Sequence, residues 1–403
     1  MNFDETKERP ITMNPTHPPA PRPALAMSRR TALRSALILL GGSALALTGC
    51  STRDTHAADA APGTADAPAN GKGPTITDQK GRTVSFDAPV ERIATTVIPA
   101  PSMIIAADQG ISKIVAVNRA SQMQAKNGLL AEMFPEIMDL PIAAAGNDFV
   151  PNIETIAAQN PDVVIQWAHM GDEIITPIEQ AGLELLLIIY GTQEDLEYWV
   201  EMFTELVGKP ERGEKILADM HRDRAAVEKA VGSARRRPRA VKLFNYDEMQ
   251  VSGTESYMDF WLTLCGADNV GTKAGPGSSV KVSREELLAW DPEVVFIGNF
   301  SPATPEDMYG APFFADMSAV KNKRVYKIPN GGFAWDPPSN ESNLMWQWAA
   351  QLLHPEGADF DLRRAMKDSY SFLYDHELTD EQIDRVLAVD ANSGSANYDA
   401  FTR

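Results

Sequence analysis

Cysteine is nearly absent. Cys50 and Cys265 are the only two in 403 residues, too few for a disulfide scaffold. Neither belongs to a Cys-x-x-Cys pair or a Cys/His cluster of the kind that holds structural zinc. Positive charge is also scarce. With 37 Lys+Arg against 55 Asp+Glu, the net charge is −18, which excludes general nucleic-acid binding through clustered cations. Three common enzyme signatures are missing: the Gly-x-Ser-x-Gly elbow, the Gly-Lys-Ser/Thr phosphate loop and the His-Glu-x-x-His zinc site. Acidic pairs such as Asp172-Glu173 and Glu285-Glu286 read as solvated faces rather than catalytic dyads. No repeat array points to an adhesion or scaffold protein. What remains is a chain long enough for two domains of about 100–200 residues each.

The N-terminal segment reads as an export signal. From Met27 the chain runs MSRRTALRSALILLGGSALALTGC, with Arg29, Arg30 and Arg34 preceding an apolar stretch, Ala36 to Leu47. That stretch is short for a membrane span, which needs about 20 residues. It ends in Leu47-Thr48-Gly49-Cys50, which resembles the lipobox of bacterial lipoproteins. The resemblance implies cleavage before Cys50 and a lipid on its thiol. Ser28-Arg29-Arg30-Thr31-Ala32-Leu33 also resembles a twin-arginine signal, and Met1, Met13 and Met27 are alternative starts. Removing residues 1–49 takes away six basic and three acidic residues and leaves a mature charge of −21. Ala, Pro, Gly, Thr and Asp dominate residues 50–73, the composition of a flexible tether. The expected location is outside the cytoplasm: in the periplasm or lipid-anchored to the outer face of the cytoplasmic membrane.

Beyond the tether, short β-branched runs alternate with helical stretches. They are Arg92–Ile98, Lys113–Val117, Asp162–Trp167 and Leu183–Tyr190, then Ala240–Asn245, Glu293–Gly298 and Arg324–Ile328. This alternation predicts an α/β fold with a central parallel sheet flanked by helices in each of two lobes. Between them, Gln193 to Arg235 carries helical period interrupted only at Gly208-Lys209-Pro210, which predicts a long joining helix. The expected division is an N-terminal lobe over 74–191, a linking helix over 192–237, a C-terminal lobe with terminal helices over 238–390, and a tail over 391–403. The lobes carry one matched segment. Asn152-Ile153-Glu154 through Pro161-Asp162-Val163-Val164 aligns with Ser283-Arg284-Glu285 through Pro292-Glu293-Val294-Val295. In both, an N-cap residue opens a helix and a buried strand follows a proline.

Together these pieces resemble the substrate-binding lipoproteins of ABC importers for iron chelates, haem and cobalamin. Further matching stretches are Ile76–Val84, Lys113–Val117, Leu264–Val270 and Val320–Tyr326. The resemblance spans roughly Thr75 to Leu387. It implies two α/β lobes on one rigid helix, a ligand between them, no chemistry on that ligand and no resident cofactor. It also implies an ABC permease with its ATPase as partner and a monomeric receptor. In such proteins a glutamate on each lobe contacts arginines of the permease; Glu154 and Glu285 occupy those positions here. Carboxylates on opposite lobes would register the cleft over two basic pockets, although a glutamate in a first helical turn also suits the helix dipole.

In α/β lobes, ligands meet the loops beyond the strand C-termini. There the sequence offers Ser102, Arg119, Trp167, His169, Tyr246, Phe300 and Trp335 as ligand contacts. Aromatic faces with a few polar groups suit a ferric chelate or a tetrapyrrole better than a bare ion. Of six histidines only His169 falls on such a loop, so no bare-metal site is expected; His169 or Met170 would serve as an axial haem ligand. A second reading is molybdate or tungstate, held by helix starts and by Ser102, Asn118, Asn147 and Ser301. Many similar proteins carry aromatic-Asp-Arg-Pro-Ser where this chain has Trp335-Asp336-Pro337-Pro338-Ser339. One cationic grip on an anionic chelate is thereby absent.

Overall fold

The computed structural model describes residues 73–146, 149–232, 234 and 236–402. The expected signal segment, Cys50, the tether through residue 72 and Asn147 lie outside the described residues.

The first lobe opens with a hairpin, β1 (Thr75–Thr77) and β2 (Thr83–Ser85), and continues β3 (Ile93–Thr95), α1 (Ala100–Asp108), β4 (Ile114–Asn118), α2 (Arg119–Asn127) and α3 (Leu130–Met133). It then adds β5 (Ile142–Ala144), α4 (Ile153–Ala158), β6 (Val163–Trp167), α5 (Asp172–Gln180), β7 (Leu185–Ile188) and α6 (Gln193–Leu206). Its five strands lie in the order β5-β4-β3-β6-β7, all parallel. Every residue of β4, β6 and β7 is buried. A parallel strand covered by helices on both faces reads as such a continuous apolar run rather than an alternating one.

Helix α7 (Pro210–Gly232) leads to the second lobe, which contains β8 (Arg239–Asn245), β9 (Gln250–Val251), α8 (Tyr257–Leu264), β10 (Asp268–Asn269), β11 (Val280–Lys281), α9 (Arg284–Trp290) and β12 (Val294–Ile297). After these come α10 (Pro305–Tyr309), α11 (Ser318–Lys321), β13 (Val325–Lys327), α12 (Ser342–Leu353), α13 (Leu362–Tyr374), α14 (Asp380–Val386) and α15 (Val389–Asn392). Strands β8, β12 and β13 run parallel, with β10 also parallel to β8 and β9 and β11 antiparallel at the edge. The second sheet is therefore mixed around a parallel centre.

The matched sequence segments become matched structure. Asn152 caps α4 by accepting the Thr155 N–H, and Ser283 caps α9 by accepting the Glu286 N–H. The strand that follows each helix pairs with the first strand of its lobe's parallel core, Ile93 with Val163 and Ala240 with Val294.

Two expectations need correction. The stretch 192–237 is not one helix. Gly208 takes a left-handed φ of 77° and Pro210 opens the next helix, a stop-and-start pair that ends α6. Helix α6 packs on α1 and β1 of the first lobe, and α7 alone runs on, against α12. Nor is 391–403 a loose tail: Tyr398 and Phe401 are buried, and Trp348 Nε1 donates to the Tyr398 hydroxyl at 3.1 Å.

The C-terminal helices reach back to the first lobe. Helix α12 is buried at all positions, while α13 touches α1. Arg212 of α7 donates to Ala106 O at 2.6 Å and to the Phe372 and Leu373 carbonyls of α13. Gln382 Nε2 donates to Glu132 of α3 at 2.7 Å, and Arg385 pairs with the same carboxylate at 2.5 Å. These bonds lower the Glu132 pKa.

Candidate functional site

The polar groups at the first lobe's strand ends mostly knit the turns. Asn118 is fully buried; its Oδ1 accepts the Ala120 N–H at 2.7 Å and its Nδ2 donates to Thr96 O at 2.8 Å. Ser102 is buried and its hydroxyl donates to Pro99 O at 2.9 Å. Arg119, at the first position of α2, is exposed and no ion pair engages it among the described residues. Trp167 is only 2% exposed and forms the hub of a ring cluster. Tyr190 meets it edge-on at 5.9 Å, Trp199 lies at 5.6 Å and Phe149 at 6.3 Å. Such tilted and edge-to-face contacts stabilise beyond area burial alone. His169 leans on Trp167 at 5.7 Å with its outer side exposed. Partial desolvation lowers its pKa, so the imidazole is neutral at pH 7.

The second lobe presents rings and charge. Phe300 stacks on Phe244 at 5.4 Å, with 16° between planes. Tyr246 is half-buried beside it, its backbone N–H donating to Ser301 Oγ at 3.2 Å. Below these rings Lys242 and Asp336, both fully buried, pair at 2.9 Å. Lys242 Nζ also lies 4.4 Å from the Phe244 ring centre. Burial lowers the Lys242 pKa and Asp336 opposes that shift. Asn299 Nδ2 donates to Asp336 Oδ1 at 3.1 Å. Gly298 is required here, since a Cβ would sit 2.6 Å from Lys242 Cε and 2.9 Å from Asp336 Oδ2. Lys327 donates to Gly298 O and Ser301 O; burial brings its pKa down to about 8.

These two faces meet. Burial raises the pKa of Tyr190 of the first lobe well above the usual range, and the Asp336 charge of the second lobe adds to that shift. Tyr257 donates to Gln193 Oε1 at 3.3 Å, and Leu129 N–H to Gly331 O at 2.8 Å. The contacts lie beyond strand C-termini, where α/β folds hold ligands. His169 and Phe300 stand on loops beside these contacts, with Trp167 as the support behind His169 and Tyr190, whereas the Tyr246 ring turns to Phe314 at 6.3 Å and its hydroxyl donates to Asp307 O at 3.5 Å.

Trp335, expected at the ligand, is instead fully buried. Its indole N–H donates to Glu341 Oε2 at 2.7 Å, and the same carboxylate accepts from Tyr370 and Tyr374 at 2.7 and 2.8 Å. A ring locked to a buried carboxylate braces the loop behind the cleft. Sequence reading missed Lys242 and Lys327 behind the strand-end loops. The one available signal was Lys242 itself, a lysine inside an otherwise apolar strand. Glu154 and Glu285 stand at the second position of α4 and α9, both exposed, and neither carboxylate has an ion pair among the described residues. No group of three or more His, Cys, Asp or Glu residues is placed to hold a metal among the described residues.

Two α/β lobes meeting at their strand ends over an aromatic and charged cleft define a solute-binding protein. A model of the family described as periplasmic binding protein matches residues 87–331, more than half of the chain, and the chain belongs to that family. Molybdate-binding protein MolA of Haemophilus influenzae is 22% identical over 321 residues, 74% of this chain and 90% of that protein. A vitamin B12-binding protein of Vibrio campbellii is 26% identical over 216 residues, 52% of this chain and 77% of that protein. The crystal structure of a periplasmic solute binding protein from Veillonella parvula is 30% identical, with a TM-score of 0.73, covering 79% of this chain and 98% of its own. The protein is thus an extracytoplasmic solute-binding component of an ABC importer and not an enzyme.

Proposed function

We propose that the protein captures a ferric siderophore or a tetrapyrrole, haem or cobalamin, between its lobes and delivers it to an ABC permease driven by its ATPase. One observation supports this reading: each lobe carries ring surface on its strand-end loops, His169 over Trp167 on one and Phe300 over Phe244 on the other. Flat apolar faces with a few polar groups match an organic chelate or macrocycle. In this reading Arg119 meets peripheral anionic groups, Glu154 and Glu285 dock the permease, Cys50 carries the lipid anchor, the receptor works as a monomer and no resident cofactor takes part.

A second reading is molybdate or tungstate, favoured by the relative that binds molybdate and aligns with 74% of the chain. It asks Ser102 and Asn118 to leave the internal bonds they already make. The test is a melting series of the full chain against ferric siderophores, haemin, cobalamin, molybdate and tungstate. A ligand at about 100 times its Kd stabilises a fold by about 2.7 kcal/mol. A shift with a chelate or macrocycle is expected; a shift with molybdate alone would overturn this ligand assignment while keeping the transport role.

A further inference from the structure

The loop that carries Phe300 is a turn clasped by one ammonium group. Just after β12 the Ser301 N–H donates to Gly298 O at 3.2 Å, so Asn299 and Phe300 are the two central residues of the turn. Lys327, the last residue of the neighbouring strand β13, reaches both of its ends: Nζ donates to Gly298 O at 3.0 Å and to Ser301 O. An ammonium has three donors and no acceptor, which suits it to gathering carbonyl oxygens. Asn299 Nδ2 ties the turn to Pro329 O at 2.9 Å and to Asp336 Oδ1 at 3.1 Å. Ser301 Oγ accepts the Tyr246 N–H at 3.2 Å and the Ala303 N–H at 3.4 Å. Phe300 is left half-buried, with its ring stacked on Phe244.

Lys327 is itself placed from far along the chain. Asn392 of α15 is fully buried; its Oδ1 accepts the Lys327 N–H at 2.7 Å and its Nδ2 donates to Lys327 O at 3.0 Å. One side-chain amide thus pairs with both backbone groups of one residue, as a residue of a further strand would. The C-terminal segment fixes the end of β13, and the end of β13 fixes the ammonium under the turn. The charged groups facing that ammonium are Asp336, Lys242 and Asp307.

We infer that Lys327 is a positioning residue for the solute site: it holds the Gly298–Ser301 turn in the conformation that presents Phe300, with Asn392 as its anchor. Neither residue needs to touch the solute. The inference deepens the reading of Phe300 as a ligand contact and rests on it for affinity alone, since the state of the turn is measurable without ligand. Burial brings the Lys327 amine down to about 8. Lys327→Met therefore exchanges a desolvated charge for an apolar chain and is expected to fold, whereas Lys327→Arg keeps its charge in alkaline solution.

Hydrogen exchange of the ligand-free full chain reads the turn at the Ser301, Ala303 and Tyr246 amides. Exchange there should be at least tenfold faster in Lys327→Met, unchanged in the core of β12, and restored in Lys327→Arg. Affinity is read by tryptophan fluorescence with haemin, cobalamin and ferrichrome. The probe that binds the native chain should bind Lys327→Met at least fivefold more weakly. Its affinity for the native chain should also fall as pH rises through about 8, as the amine loses its proton, and stay level in Lys327→Arg. If Lys327→Met does not fold, this pH series carries the test. If no probe binds the native chain, the ligand reading fails and the exchange result alone decides the inference. Native exchange rates in Lys327→Met overturn it. So does a loosened turn with unchanged affinity, or a pH dependence that persists in Lys327→Arg and therefore belongs to Lys242.

Discussion

In the first lobe, β6 and β7 run out into aromatic rings; in the second, β8 and β12, reached by the same helix-then-strand plan, run out into buried charge. Trp167, Tyr190 and Trp199 pack ring against ring, with no ion pair beneath them among the described residues. Lys242 and Asp336 stand under Phe244 and Phe300 with neither charge exposed. The strand cores are alike, apolar and buried on both faces, because pairing and layer packing ask for nothing else. The strand ends are free of that demand and carry the chemistry. A buried ion pair is weak evidence for stability, since desolvation offsets the attraction.

Breaking the symmetry of the docking carboxylates should have the largest effect. Reversing both, with Glu154→Lys and Glu285→Lys, is expected to abolish uptake in cells while the purified protein keeps its ligand affinity. A loss of affinity would contradict the docking role. Next comes the buried ion pair. Lys242→Met leaves Asp336 buried and unpaired, which should cost about 3–5 kcal/mol in denaturant unfolding. The pair Lys242→Met with Asp336→Leu should recover most of it; a single variant costing under about 1 kcal/mol would mean the aspartate finds water or another partner. Smallest is the contrast between the matched helix caps. Asn152→Ala and Ser283→Ala should each lower stability by about 1 kcal/mol. Ser283 should cost more, because Glu286 returns its carboxylate to the Ser283 N–H and completes a reciprocal box, whereas among the described residues no such return is made to Asn152.

The legible part of the fold was the part written in local pattern. Val163–Trp167, apolar but for Gln166, and the wholly apolar Val294–Ile297 each follow a proline, and both became central strands. The edge strands β9, β10 and β11 are two residues each, too short for any period to register. The loop from Gly331 to Ser342 looks polar, with Asp336, Asn340 and Glu341, yet all of it is buried. Its partners Tyr370, Tyr374 and Lys242 come from far along the chain. The same distance hid the buried ion pair: 94 positions separate Lys242 from Asp336. Trp335 was misplaced for a related reason, since an aromatic at a strand end is legible, but the carboxylate that turns it inward is not.

The central claim is that rings from both lobes grip one organic ligand. It is tested most directly by titrating the native chain, Phe300→Ala and His169→Ala with the ferric siderophore, haemin or cobalamin that gives the largest melting shift, following intrinsic tryptophan fluorescence. Each variant is expected to bind at least tenfold more weakly, about 1.4 kcal/mol, with an unchanged melting temperature in the absence of ligand. Equal affinity in all three proteins would contradict the account.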